Sequence, residues 1–519
     1  MLHKLIKINL KIIGFIVLLL ILIQCITAYI FGYIAKNQLE LQFQHMTDSP
    51  YIKVVSHEYN RGLFSSNEVS EIAINSVATA NLLKILPKQD KESQEANQIY
   101  SIKLNTHIEH GIFSSLMHGY FIPSIAYTNT TFLFPSDKKK IQEKFFKNKP
   151  PLIVTNIIYL NKSGKIHITS SEFNYEEAVS GIKVIWGGLN LNINYNSDFN
   201  SFANKMKLPL LKLNAAEKGH LELYNLDYQS NTRLSKNKIK VGDTNLNLAS
   251  IDAKWQDKVS INFKLGDVLN MLTGISSTEF LNGIDAIDPN GFTISNVKYS
   301  SKSQDENNFF GANSNIQFSS LITNGQTYGP MNIDMEINHI SSPEFSKLVD
   351  RMADLSLIPV SNDNYNSKLR QQLIETLNAY FGPILVANPV INLKDFQLNT
   401  PNGLIKLSGL ATTNNFTLND METQQKFLKK LIIDFNFSMP KSTIAYLFVL
   451  QMKYLLSAGN AQMDKQSAEA LTRVVNILLD NQVNTWVKKG YIKLENSTLK
   501  SHLKFKDGQL WLNDVKSKQ

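Results

Sequence analysis

Apolar and polar positions alternate with a period of two along most of this chain, after an opening run in which they do not alternate at all. Residues 12–34 read IIGFIVLLLILIQCITAYIFGYI, an uncharged stretch long enough to cross a bilayer as one helix. Beyond it the clearest alternation is Leu189–Asn196, where Leu189, Leu191, Ile193 and Tyr195 fall on one face and four Asn on the other. The same pattern predicts strands around Ile166–Ile168, Leu221–Leu223, Thr244–Trp255 and Ile433–Met439. Many such strands, separated by Asn, Ser and Gly turns, predict an antiparallel meander with one dry face.

Helical periodicity comes late. Residues 364–381 place Leu369, Leu373, Leu377 and Tyr380 or Phe381 on one stripe, and Gly382-Pro383 is expected to end it. Residues 464–489 set Leu471, Val474, Val475, Leu478, Leu479, Trp486 and Val487 together and stop at Gly490. Between them Ile444–Leu456 is apolar nearly all round. It is too short to span a bilayer and carries Lys453, so it reads as a buried helix. The chain closes on Tyr491–Leu494, Leu503–Phe505, an Asp507-Gly508 turn and Leu510–Leu512, a terminal hairpin. The class is therefore α+β: a single N-terminal transmembrane helix, a predominantly antiparallel β-sheet region, and several amphipathic helices in the last third. The expected divisions are 1–35 (stub and anchor), 36–340 (β-rich) and 341–519 (mixed helix and strand).

Charge gives the anchor a direction. Lys4, Lys7 and Lys11 precede the apolar run, whereas only Lys36 follows before Glu40, so the N-terminus belongs in the cytoplasm and the bulk of the chain is exported. A cleavable signal peptide would carry a shorter apolar region, and Gln24 is too bulky before Cys25 for a lipid-modified cysteine. Cys25 is the only cysteine, so the exported part is held by packing without a disulfide of its own. The net charge of +9 comes from scattered lysines with no nucleic-acid motif beside them, which argues against a nucleic-acid partner. The one dense run, Lys138–Lys140 with Lys144, Lys147 and Lys149, reads as a solvated connection ended by Pro150-Pro151.

No constellation of catalytic or metal-binding residues emerges. His57-Glu58 lacks a His four residues on. His107 and His110 are three apart in a predicted strand and so face opposite ways, with His118 nearby. Ser136–Lys139 and Ser180–Lys183 match a Ser-x-x-Lys spacing without the helix start it requires, and Glu176-Glu177 point apart on a strand. The chain is expected to be no enzyme and to need no cofactor or metal.

One pentapeptide echo stands out: Gly62-Leu63-Phe64-Ser65-Ser66 recurs as Gly111-Ile112-Phe113-Ser114-Ser115. Each reads as a hairpin corner in which Gly bends the chain and Phe anchors it in the core. The first copy, with Tyr59-Asn60-Arg61 before it, resembles the Tyr-x-Arg-Gly-Trp-Phe-Ser-Ser signature of the YdgA-like family of bacterial proteins, with Leu63 for the usual Trp. His110-Gly111-Ile112-Phe113 is similar to that family's His-Gly-Pro-Phe element. Trp186-Gly187-Gly188-Leu189 resembles its middle strand, and Phe505–Asn513 its closing hairpin. The resemblance implies an inner-membrane protein of a Gram-negative bacterium facing the periplasm, a domain of unknown function with no catalytic residue to carry over. Physically, the signature reads as architecture: Arg61 and Tyr59 pair or stack, Gly62 turns, and the two Ser satisfy backbone groups.

Two functions fit these expectations. One is an envelope-associated protein that holds a lipid or other amphiphile in an apolar groove of a long sheet. The other is a scaffold for envelope proteins with no small-molecule ligand. Fully packed and groove-lining strands share one alternating pattern, so the residues alone leave both open.

Overall fold

The computed structural model describes residues 2–47, 52–74, 101–133, 143, 149–176, 181–215, 219–255, 291–323, 325–356, 375–376, 379–456 and 465–517. Side chains are described from Phe15 onward, apart from a few positions inside helices and at strand ends. Lys138–Lys140, Lys144, Lys147, Ser136, Glu177, Ser180, Lys453 and most of the helix expected over 364–381 lie outside these residues or side chains.

All the described strands belong to one antiparallel sheet of 24. From Ile52–Arg61 onward, nearly every strand pairs with the one before it in sequence, as the turn-separated alternation requires. Two short hairpins add to the side of longer strands. Phe173–Glu176 and Ile182–Trp186 extend the ladder of Ser201–Ala215, and Ser320–Thr323 with Gln326–Tyr328 extends that of Gly291–Glu306. The sheet is continuous across residue 340, since Met331–Ser341 pairs with Val390–Thr400.

The long central strands, up to 16 residues, bend along one line. Gly187 and Gly188, Pro209, Asn225 (φ 49°) and Asn296 (φ 52°) lie on it, with Ala249 of Lys240–Trp255 between the last two. Leu210 leaves no room for a Cβ at Gly187, and Gly188 sits at φ 85°. At this line the apolar positions change parity: Leu221 and Leu223 precede Asn225, whereas Leu226 and Tyr228 follow it. A left-handed residue shifts the alternation by one, so both halves present apolar side chains to the same side. The Trp186 indole confirms this, since it donates across the bend to Ser170 Oγ at 3.0 Å, and Ser170 is the cross-strand partner of Leu189.

Helices cover that face at its two ends. The N-terminal helix, Leu2–Thr47, does not stop at residue 35. Its last turns pack Ala35 and Leu39 against Ile108, Ile125, Ala126 and Ile158 of the early strands. At the far end, Lys441–Leu456 and Lys465–Lys488 enclose Ala445, Leu479, Val483, Ile492 and Leu499, with Phe437 against them. The expected stripe of the last helix is split. Val475, Leu479 and Val483 are buried, but Val474, Ile477 and Leu478 are exposed, because one neighbouring helix and strand layer covers only a third of the circumference. Nor does Gly382-Pro383 end its helix, which continues through 386. Pro383 forfeits a single N–H bond, whereas Ile384 and Leu385 gain burial. The terminal hairpin forms as expected, with Asp507 and Gly508 both at positive φ in the turn.

Candidate functional site

Residues directly opposite each other in an antiparallel ladder share a face, so register alone traces what the sheet displays. Starting at Val154, successive partners are Ile168, Leu191, Met206, Tyr228, Leu246, Tyr299, Ile316, Ile333, Phe396, Leu407 and Phe437. This is one apolar residue per strand without interruption, and at the usual strand spacing the row is about 50 Å long. Parallel rows thicken it: Leu208, Leu226, Leu248 and Val297, then Phe318, Met331, Leu398 and Ile405. The opposite face at the same level is Asn192, Lys205, Asp227, Asn245, Lys298, Gln317, Asn332 and Gln397.

Among the described residues no helix lies over the middle of this stripe. Ile316 is exposed and the remaining members of the main row are half-buried; Phe437 packs against the C-terminal helices, and the others are screened, among the described residues, by neighbours in the sheet. Helix Ser342–Ser356 touches only the ends of its strands, where Phe345 stacks on Phe310. The stripe therefore runs open from the N-terminal helix to the two C-terminal helices.

The signature residues form the dock of the N-terminal helix. Arg61 Nη2 donates to the Tyr29 carbonyl at 2.9 Å, and the guanidinium lies 3.5 Å over the Tyr33 ring and 4.8 Å over that of Tyr29. It does not stack on Tyr59. Its strand position aims it across the sheet at the helix, whose two tyrosines, one turn apart, offer faces that Tyr59 does not. His110, only 1% exposed, donates from Nδ1 to the Ala28 carbonyl at 2.8 Å and accepts at Nε2 from Ser66 Oγ at 3.2 Å. Burial pushes this imidazole pKa down, which holds it in the neutral form the two bonds require. Ser66 thus serves a side chain, not the backbone. Gly32 lets the helix come this close: a Cβ there would stand 3.0 Å from His110 Cε1 and 3.2 Å from Arg61 Nε.

Higher on the helix the contacts stay polar. Gln38 Nε2 donates to the carbonyls of Lys162 and Ser197, and the Asn156 amide bridges Gln42 and Tyr195. Phe43 stacks on His57, whose Nε2 lies 3.0 Å from Oε1 of Glu68. Glu68 is 1% exposed, and burial, assisted by the Glu40 carboxylate, pushes its pKa up to about 7. Burial pushes His57 down.

The echo glycines occupy adjacent corners, since Ser65 pairs with Glu109. Phe64 is not anchored in the core. It is exposed, and with Phe113 and Leu116 it faces Val17, Leu20 and Ile21 of the helix across a cleft of about 520 Å³. His107 and His110 do face opposite ways; His107 bonds Asn67 Oδ1 and His118 bonds Glu109. Glu176 pairs with Lys183 at 3.0 Å. The stripe was partly visible in the alternation of Leu189–Tyr195, but its continuity depends on strand register, which the sequence states only through the change of parity at Asn225.

Replacing Gly32 by Leu is expected to push the helix off its dock and lower stability by about 1–3 kcal/mol, whereas Ile30→Leu on the exposed side leaves it unchanged. Equal heat-melting curves for both variants in detergent would contradict the dock. Glu68 binds its proton more tightly folded than unfolded, so stability falls as pH rises through 7. The His57 and His110 effects have the opposite sign and fade over about one pH unit above the unfolded imidazole pKa of about 6.5. Between pH 6.5 and 8 the protein is therefore expected to lose roughly 1 kcal/mol relative to a Glu68→Gln variant, which lacks the carboxyl contribution. Equal pH slopes in the two proteins would assign the effect elsewhere.

A family model described as a bacterial protein of unknown function (DUF945) matches residues 9–518, nearly the whole chain. No curated protein matches it. The match takes in the membrane-length helix, the signature corners and the closing hairpin together. The chain belongs to this family of bacterial proteins.

Proposed function

We propose that this chain is a non-enzymatic lipid-holding protein of the bacterial envelope. The N-terminal helix is its inner-membrane anchor, with Lys4, Lys7 and Lys11 on the cytoplasmic side and the sheet in the periplasm. The order of the YdgA-like signature elements along the chain agrees with that placement. The reading rests on one observation: an uninterrupted apolar row of one residue in each of twelve paired strands, from Val154 to Phe437, whose middle no described helix covers.

Leaving such a stripe in water costs about 25 cal/mol for each Å² of apolar surface, and a soluble protein seldom bears so large a patch without an occupant. Acyl chains fit its chemistry, being apolar throughout and indifferent to direction. They also fit its length, since one leaflet of hydrocarbon is about 15 Å thick and the row would take several chains end to end. The stripe begins beside the last turns of the helix that the membrane would hold, near Gln42. The polar Asn and Lys face opposite keeps the sheet soluble.

Native mass spectrometry of the full chain released from mild detergent is expected to show phospholipid or acyl adducts. Leu246→Asp, a charge set in the middle of a half-buried row, is expected to reduce them several-fold with little change in melting. A clean apo mass that takes up no added phospholipid would overturn the reading and leave the scaffold as the better account.

A further inference from the structure

The two corners that carry the echo, Gly62–Ser65 and Gly111–Pro123, end the sheet beside the apolar run of the N-terminal helix. Between Gly111 and Pro123 there is no Lys, Arg, Asp or Glu, and the single His118 is tied to Glu109 and stacked on Tyr127 at 3.8 Å. What these corners show outward is large and apolar. Phe121 is 87% exposed and Met117 82%, with Leu63, Phe64, Leu116 and Ile122 exposed around them. In water so exposed an apolar cluster would be costly.

Its height on the helix says what surrounds it. Phe64, Phe113 and Leu116 face Val17, Leu20, Ile21, Gln24 and Cys25, Gly111 lies against the Gln24 side chain, and the Ile112 amide reaches Thr27 Oγ1 at 3.4 Å. Gln24 stands ten residues before the end of the apolar run at Ile34, roughly 15 Å along the axis. That distance is about the depth of one leaflet's hydrocarbon. Side chains level with Val17–Gln24 are therefore below the headgroups if the helix spans. The backbone there keeps its polar groups paired, as immersion demands: Gly62 N–H bonds Ser65 O, Gly111 N–H bonds Ile125 O, and Ser114, Leu116, His118 and Gly119 close successive turns. The hydroxyls of Ser114 and Ser115 are satisfied by Ser124 and the Ile122 carbonyl. Arg61 and the Tyr29 and Tyr33 rings lie above, where an interface belt of amphipathic side chains belongs.

We infer that the two corners form a collar immersed in the hydrocarbon of the bilayer as far as its midplane, with lipid acyl chains as its partner. The sheet is then not tethered above the membrane by a stalk but enters it alongside its own anchor. The inference rests on the spanning role of the helix and is independent of what occupies the stripe.

Spin labels on single cysteines test it in the full chain carrying Cys25→Ser, reconstituted into vesicles of equimolar phosphatidylethanolamine and phosphatidylglycerol. Labels at Phe121→Cys and Met117→Cys, both too exposed to disturb packing, are compared with one at Leu18→Cys on the helix and one at Lys238→Cys in an exposed turn. The collar labels are expected to match Leu18, relaxed by oxygen and roughly tenfold less accessible than Lys238 to a water-soluble nickel chelate. If Leu18 reads as hydrocarbon but both collar labels read as water, the collar is overturned and the anchor stands. If Leu18 also reads as water, the anchor and the collar fall together.

Discussion

An antiparallel sheet with one apolar face is stable only if something keeps water off that face, and every other feature of this protein follows from how that is done. Here the N-terminal helix supplies the first cover. It continues past its membrane-length run to Thr47 and lays Ala35 and Leu39 on Ile108, Ile125, Ala126 and Ile158. The dock that fixes it is specific where the hydrophobic effect is not. A neutral His110 bonds one helix carbonyl, Arg61 bonds another and lies over two tyrosine rings, and Gly32 removes the side chain that would hold them apart. The N-terminal helix and the sheet are thus one folded unit.

The other covers are asymmetric. The C-terminal helices close the far end around Val483 and Leu499, while the middle dozen strands carry their apolar row half-exposed. Among the described residues the helices that pack on the sheet sit at its ends and none lies over its centre. The bend through Gly188, Asn225 and Asn296 keeps the apolar positions on one side, because without a left-handed residue the long strands would turn their apolar positions to opposite sides at mid-length.

Much of the fold was legible in the sequence because strands and the membrane-length helix announce themselves locally. Leu189–Tyr195, Leu221–Leu223 and Ile433–Met439 are strands where alternation placed them, and Asp507-Gly508 is the turn its residues favour. The helix over residues 465–488 was legible, but not which of its apolar residues would be buried, since that depends on a neighbour. The candidate site was less visible. Arg61 and His110 could be singled out by motif, yet their partners Tyr29, Ala28 and Gly32 lie 29 to 82 residues away in sequence and carry no local mark. Phe64 and Phe113 read as core residues because sequence pattern does not distinguish an apolar side chain facing the core from one lining an open cleft beside a helix.

The central claim is that the continuous row, and not the sheet as a whole, holds apolar ligand. Site-specific photo-crosslinking in intact cells tests it most directly, with benzoylphenylalanine placed at Tyr228, Tyr299 or Phe396 on the row and at their neighbours Gln229, Lys298 or Gln397 on the opposite face. The account requires lipid crosslinks at the first three positions and none at the second. Lipid at neither set, or at both alike, would contradict it.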